Sequence, residues 1–317
     1  MTTILAPLDG TQAGEAVLPH LVTLSFGYRA IVHLVLAAGA GPVPTEVEQR
    51  AALRPRPAVP AAEGAAYLEG AAQWLRQRGV TSSCAQPAAP PAGAMRRLVE
   101  QLGVDLLALS TAGWARLGTT ALGALAEEVV RIAACPIVLL RVDVARSVRS
   151  EPPRARPYRR VVVALDGSPG AELVLPRVEP LARAFAAQLL LVRATIPPSA
   201  APEGSEPGEA NGAGASGRRL DPVARADAER YLAEAADRLQ QGGLRTAPVS
   251  RVGPADAVIL DCARTRGADL IAMATGRGPA PFGRLGLGRT TDAVVRHAPC
   301  PVLVVPESQA ARPHLSS

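Results

Sequence analysis

The chain is 317 residues long, carries a formal net charge of +6, and is 48% hydrophobic but only 3% aromatic. That length suggests two domains, each able to bury a substantial core. The scarcity of aromatic rings removes the stacking platforms that a single-strand nucleic-acid binder needs. No apolar run approaches a membrane span, and the N-terminus does not read as a secretory leader, so the cytoplasm is the expected compartment. None of Cys84, Cys135, Cys262 and Cys300 belongs to a Cys-x-x-Cys pair, which leaves no metal or redox motif.

In chain order, Thr3–Leu8 reads as a buried strand, Glu15–Leu24 as a helix and Ala30–Ala37 as a second strand. Residues 39–62 are rich in Pro and Ala and read as a loop. A helix over Glu63–Gln77 ends where Gly79 supplies a cap. A short strand at Val80–Ala85 follows, then a helix over Met95–Leu102 stopped by Gly103, a strand at Asp105–Ser110, a helix over Leu125–Ala133 and a strand at Pro136–Val142. The second half repeats this order, with strands at Arg160–Leu165, Gln188–Ala194, Arg245–Ser250, Asp269–Ala274 and Pro301–Val305. Its helices fall near 170–184, 221–241, 255–266 and 290–297, and 197–220 is a low-complexity loop expected to be disordered.

Continuous apolar strands separated by helices imply a parallel sheet covered on both faces. The expected fold is α/β: two doubly wound, Rossmann-like domains, each a five-stranded parallel sheet with helices on both faces. The first spans 1–144 and the second 159–307, joined by an Arg/Pro-rich linker at 145–158 and followed by a tail at 308–317. Six arginines between Arg146 and Arg160 can bind phosphates, but a Pro-interrupted, solvated linker accounts for them, and nucleic acid is not the expected partner.

The halves restate one another. Ile4-Leu5-Ala6-Pro7-Leu8-Asp9-Gly10-Thr11 returns as Val162-Val163-Ala164-Leu165-Asp166-Gly167-Ser168, with Glu15 and Glu172 four residues on and then Leu18-Pro19 and Leu175-Pro176. Cys135-Pro136-Ile137-Val138-Leu139-Leu140 returns as Cys300-Pro301-Val302-Leu303-Val304-Val305. A period of half the chain means two similar domains rather than a solenoid.

In a doubly wound domain the ligand crevice lies outside the carboxyl ends of the strands, where strand order reverses. Asp9 and Asp166 stand there. Each carboxylate either accepts hydrogen bonds from a ribose or an adenine amine, or bonds its own turn backbone; local sequence leaves both readings open. After the fourth strand comes a glycine loop in each half. Ser110, Gly113 and, after nine intervening residues, Gly123-Ala124 lead into a helix at Leu125; Ala274, Gly278 and, after nine intervening residues, Gly288-Arg289 lead into one at Thr290. Glycine beside a helix N-terminus lets backbone amides approach a phosphate.

These features resemble the universal stress protein family in tandem. The carrying residues are the two Asp-Gly-Thr/Ser turns, Ala268-Asp269-Leu270-Ile271-Ala272-Met273-Ala274 with its glycine loop, and Val294 through Val305 with His297-Ala298-Pro299-Cys300-Pro301 at its centre. The resemblance implies a fold like that of the adenine nucleotide alpha hydrolases and, by likeness to members that bind it, ATP with or without Mg2+. Asp9 and Asp166 would then sit beside adenine or ribose, with Ala37 and Ala194 as walls. Pro7, Leu8, Ala164, Leu165 and Met273 would frame the crevice. Gly113, Gly123, Ala124 and Leu125, and in the second half Gly276, Gly278, Gly288, Arg289 and Thr290, would line the phosphates. The chain departs from the family's Gly-x-x-Gly, nine residues, Gly-Ser/Thr: Ser110 and Ala274 replace the first glycine, and Ala124 and Arg289 replace the last hydroxyl.

No general base stands near a nucleophile and there is no Gly-Lys-Ser/Thr of the phosphate-loop kind, so no enzyme is expected. The reading is a nucleotide-binding regulatory protein of the stress response; its alternative is an interaction module of the same fold without nucleotide. The resemblance also implies an intramolecular pseudo-dimer through the last strand of each half, with further homo-dimerisation open.

Overall fold

The computed structural model describes residues 1–8, 10, 12–36, 63–85, 92–112, 130, 135–142, 157–195, 222–275 and 287–307. In the first half these form β1 (Thr2–Leu8), α1 (Gln12–Glu15), α2 (Leu18–Tyr28), β2 (Ala30–Leu36), α3 (Gly64–Arg76), β3 (Ser82–Cys84), α4 (Ala92–Gln101), β4 (Leu106–Ala112) and β5 (Ile137–Val142). The second half supplies β6 (Arg160–Ala164), α5 (Pro169–Glu172), α6 (Leu175–Phe185), β7 (Gln188–Thr195), α7 (Pro222–Gln241), β8 (Arg245–Val252), α8 (Ala255–Arg266), β9 (Leu270–Thr275), α9 (Arg289–His297) and β10 (Val302–Pro306). Apart from Val130, the helix expected at Leu125–Ala133 lies outside the described residues, as do the loops 39–62 and 197–220 and most of the linker and tail.

All ten strands join one sheet in the order β3-β2-β1-β4-β5-β10-β9-β6-β7-β8. Within each half every pair is parallel, and strand order reverses between β1 and β4 and again between β6 and β9. The halves meet edge to edge: β5 and β10 run antiparallel, with Val302 opposite Leu139, Leu303 opposite Val138 and Val304 opposite Ile137. Each strand thus covers the apolar edge that the other would otherwise leave open.

The strands bury both faces at period two. Ile4, Ala6, Leu8, Leu34, Val161, Val163, Leu191 and Leu303 face one helical layer, with Leu21, Leu24, Leu75, Leu181, Leu232 and Leu239 above them. Leu5, Val35, Leu107, Val162, Val192, Ile271 and Val304 face the other, under Met95, Ile259, Cys262, Val294 and Val295. Each layer draws residues from both halves, so two apolar cores run across the junction. There α2 and α6 pack together; a β-carbon on Gly27 would collide with Leu181 Cδ2. Tyr28 donates from its hydroxyl to the Arg177 carbonyl at 2.6 Å.

The single helices expected at Glu15–Leu24 and 170–184 are each two: α1 with α2, and α5 with α6. The cause is the repeated Leu-Pro. Pro19 and Pro176 stand in the opening turns of α2 and α6, where a missing N–H costs nothing, but neither can continue a helix that arrives from upstream. Both second helices end on a left-handed residue that is not glycine, Arg29 at φ 51° and Ala186 at φ 49°.

Candidate functional site

In the second half, register sets the crevice. Ala164 lies opposite Val192 on β7 and opposite Met273 on β9, and Leu165 N–H donates to the Val192 carbonyl at 2.9 Å. By continuation of these registers, Leu165 comes level with Arg193 and Ala274, and Asp166 with Ala194 and Thr275. The strand-order reversal therefore brings together the turn after β6 and the carboxyl ends of β7 and β9.

The side chains at these ends differ in what they offer. Leu165 and Met273 are buried, so they present only backbone to the crevice; Ala164, Ala194 and Ala274 are half-buried and Asp166 is exposed. Gly167 takes φ +92°, a conformation that an L side chain resists. Asp166 Oδ1 accepts from Ser168 N–H at 2.8 Å, the turn-bonding of the two readings open above, while Ser168 Oγ accepts from Ala171 N–H at 3.1 Å as the cap of α5.

Across the reversal, α9 begins at Arg289 with Gly288 as its cap. Gly288 N–H donates to Thr275 Oγ1 at 3.1 Å, and Thr275 is itself 3% exposed. The buried hydroxyl at the end of β9 thus pins the start of α9 to the sheet. A helix opening leaves its first N–H groups without intrahelical acceptors, here those of Arg289 and Thr290, and its dipole favours negative charge. Within α9 Asp292 takes Arg296 in a bidentate pair at 2.7 and 2.9 Å. A backbone donor set of this kind, with the exposed Arg289 at its mouth, fits a phosphate.

In the first half, Leu8 lies opposite Leu36, and Ser110 comes level with Leu8 by continuation of the β1–β4 register. Pro7 and Leu8 are buried. Ser110 Oγ donates to the Gly14 carbonyl at 3.3 Å, tying β4 to α1. Asp9, Ala37, Gly113, Gly123, Ala124, Leu125, Gly276 and Gly278 lie outside the described residues.

The sequence profile of the Universal stress protein family matches residues 1–141 and 157–306. The chain belongs to the universal stress protein family. A universal stress protein of Archaeoglobus fulgidus DSM 4304 is similar over nearly the full length: 96% of this chain and 98% of that one, 16% identity, TM-score 0.69. A functionally unknown protein of Pseudomonas aeruginosa PAO1 aligns over 96% of this chain and 92% of its own at 17% identity and TM-score 0.62. A universal stress protein crystallised with cAMP aligns over 48% of this chain and 99% of its own, at 24% identity and TM-score 0.35. Among curated proteins none matches.

Two residues of this universal stress protein's second crevice escaped the sequence reading. Thr275 directly follows Ala274, and only the fold shows that its hydroxyl meets Gly288, thirteen residues on. Arg193 lies over the turn at Gly167; its signal was a charge directly after the apolar run Leu189–Val192. Above it, Tyr231 donates to Glu172 Oε1 at 2.9 Å and Arg238 Nη2 bonds both oxygens of the same carboxylate at 3.0 and 2.9 Å. Burial and the bond to Glu172 raise the Tyr231 phenol well above its ordinary value, so it remains a donor. Among the described residues, no group of three or more His, Cys, Asp or Glu is placed to hold a metal ion, and no helix is long and apolar enough to cross a membrane.

Proposed function

We propose that this universal stress protein is a regulatory protein of the stress response that binds ATP and signals through nucleotide-dependent conformation or partner binding, without catalysing a committed reaction. The observation that carries the reading is the start of α9. A glycine cap held by the buried Thr275 hydroxyl presents orphan amides to the crevice where strand order reverses, opposite the Asp166–Gly167–Ser168 turn. Arg289, Thr290 and the α9 amides would take the phosphates, and Asp166 and Ala194 the nucleoside end.

Equilibrium dialysis with ATP tests the proposal. Saturable binding at millimolar ATP, weakened in Asp166→Ala, is the expected result; no binding, with the variant indistinguishable from the parent, would sink it. The competing reading, an interaction module without nucleotide, draws on the Asp166 bond to its own turn. If that bond is the whole role of Asp166, the alanine variant loses stability but no ligand.

The assembly proposed is a monomeric pseudo-dimer, with the β5–β10 pairing made inside one chain in the cytoplasm. Sedimentation should give the mass of one chain, or a reversible dimer of it. An obligate higher oligomer that dissociates only on unfolding would refute it.

A further inference from the structure

Arg193 is an anomaly in its strand. Leu189, Leu190, Leu191 and Val192 are all buried, and the alternation of β7 puts Arg193 on the face of Leu189 and Leu191, beneath α7. Its Cζ lies 5.1 Å from the centre of the Tyr231 ring, within reach of a cation–π contact. Its Cζ, Nη1 and Nη2 stand 2.9, 2.9 and 3.0 Å from where a β-carbon on Gly167 would sit. Three near-equal distances mean that the guanidinium lies face-on over the glycine of the Asp166 turn. Only glycine permits that approach. The Tyr231 hydroxyl is held by Glu172, and Arg238 holds that carboxylate in turn.

Among the described residues the cation has no anion. Four described arginines are partly buried: Arg177, Arg193, Arg251 and Arg296. Arg251 pairs with Asp261 and Arg296 with Asp292, and Arg177 has a partner of its own. Arg193 makes neither an ion pair nor a hydrogen bond among the described residues. A half-buried guanidinium without a counter-charge is costly, and a phosphate accepting from its edge would offset that cost through charge-assisted bonds. The first half has Leu36 at the corresponding place, opposite Leu8.

We infer that Arg193 is an anion-binding residue of the second crevice, seated to take a phosphate of the ligand, an inference that rests on the nucleotide reading for the ligand's class. The second crevice then carries a phosphate contact at a position where the first half has Leu36.

Calorimetric titrations of the full chain with ATP, adenosine and inorganic pyrophosphate, on the parent, Arg193→Leu and Arg193→Lys, test this. Leu36 shows that leucine suits the position, and thermal unfolding of each variant checks that the fold persists. The expected result is that Arg193→Leu weakens ATP at one site by at least about tenfold, the factor of a charge-assisted hydrogen bond, leaves adenosine unchanged, and is partly rescued by Arg193→Lys. Pyrophosphate bound by the parent and lost in Arg193→Leu, with neither ATP nor adenosine bound, would support Arg193 and overturn the nucleotide reading. Equal ATP affinity in parent and Arg193→Leu would overturn the inference and leave that reading intact. No binding of ATP or pyrophosphate by the parent would overturn both.

Discussion

Mild acid should loosen the junction between the halves, and His20 is the group through which it acts. His20 lies on α2, and its Nδ1 is 3.2 Å from the hydroxyl of Tyr158, which belongs to the other half. The two rings stack with centroids 6.2 Å apart, and Tyr158 is only 2% exposed. Burial lowers the His20 pKa to about 4, from about 6.5 in the unfolded chain. The folded value is depressed, so the unfolded chain takes up the proton first as pH falls. The stability owed to neutral His20 is thus complete above pH 6.5 and is lost as pH falls towards 4. With these two values the linkage integral gives a loss of about 2 kcal/mol between pH 7 and pH 5. Urea unfolding at constant ionic strength at pH 7, 6 and 5 measures it, with His20→Gln as the comparison and His33→Gln in both backgrounds. The second substitution is needed because burial also lowers the His33 pKa. The loss should shrink by that amount when His20 is replaced. An identical pH dependence with and without His20 would refute the reasoning.

Other substitutions probe the junction and the crevice. Gly27→Ala drives a methyl against the fully buried Leu181 and should cost about 1–3 kcal/mol by overpacking, read as a lower Tm. Ala186→Gly should stabilise by about 0.5–1 kcal/mol, because it relieves the left-handed end of α6; an unchanged or lower urea midpoint would contradict this. Thr275→Val keeps the shape at the end of β9 but strands Gly288 N–H, at a cost of about 1–3 kcal/mol, and should weaken any phosphate bound at α9, by calorimetry. Leu303→Ala removes a fully buried side chain opposite Val138 and should cost about 2–5 kcal/mol; a cost well under 1 kcal/mol by urea unfolding would mean that the two halves do not depend on that pairing.

Much of the architecture was legible in the chain because its signals are local. Apolar runs mark β1, β6, β9 and β10, and the Asp-Gly-Ser turn with its capping hydroxyl is written in consecutive residues. Pro19 and Pro176 also announced the breaks between α1 and α2 and between α5 and α6. The helical period masked them, since Glu15–Leu24 keeps its apolar spacing across the break. The crevice was only partly legible. Its backbone donors follow from glycine placement, but the roles of Thr275 and Arg193 arise from contacts with Gly288 and Gly167, which no local pattern encodes.

The sequence by itself determined that there are two copies of one doubly wound domain, because burial periodicity and turn chemistry act over a few residues and are repeated almost unchanged. Only the tertiary structure decided how the copies differ. Strand register sets Arg193 beside the turn at Gly167 where the first half has Leu36, and helix packing across the β5–β10 junction brings His20 to Tyr158, 138 residues away. Those pairings depend on which surfaces the sheet brings face to face, and that is settled by the packing of the whole chain.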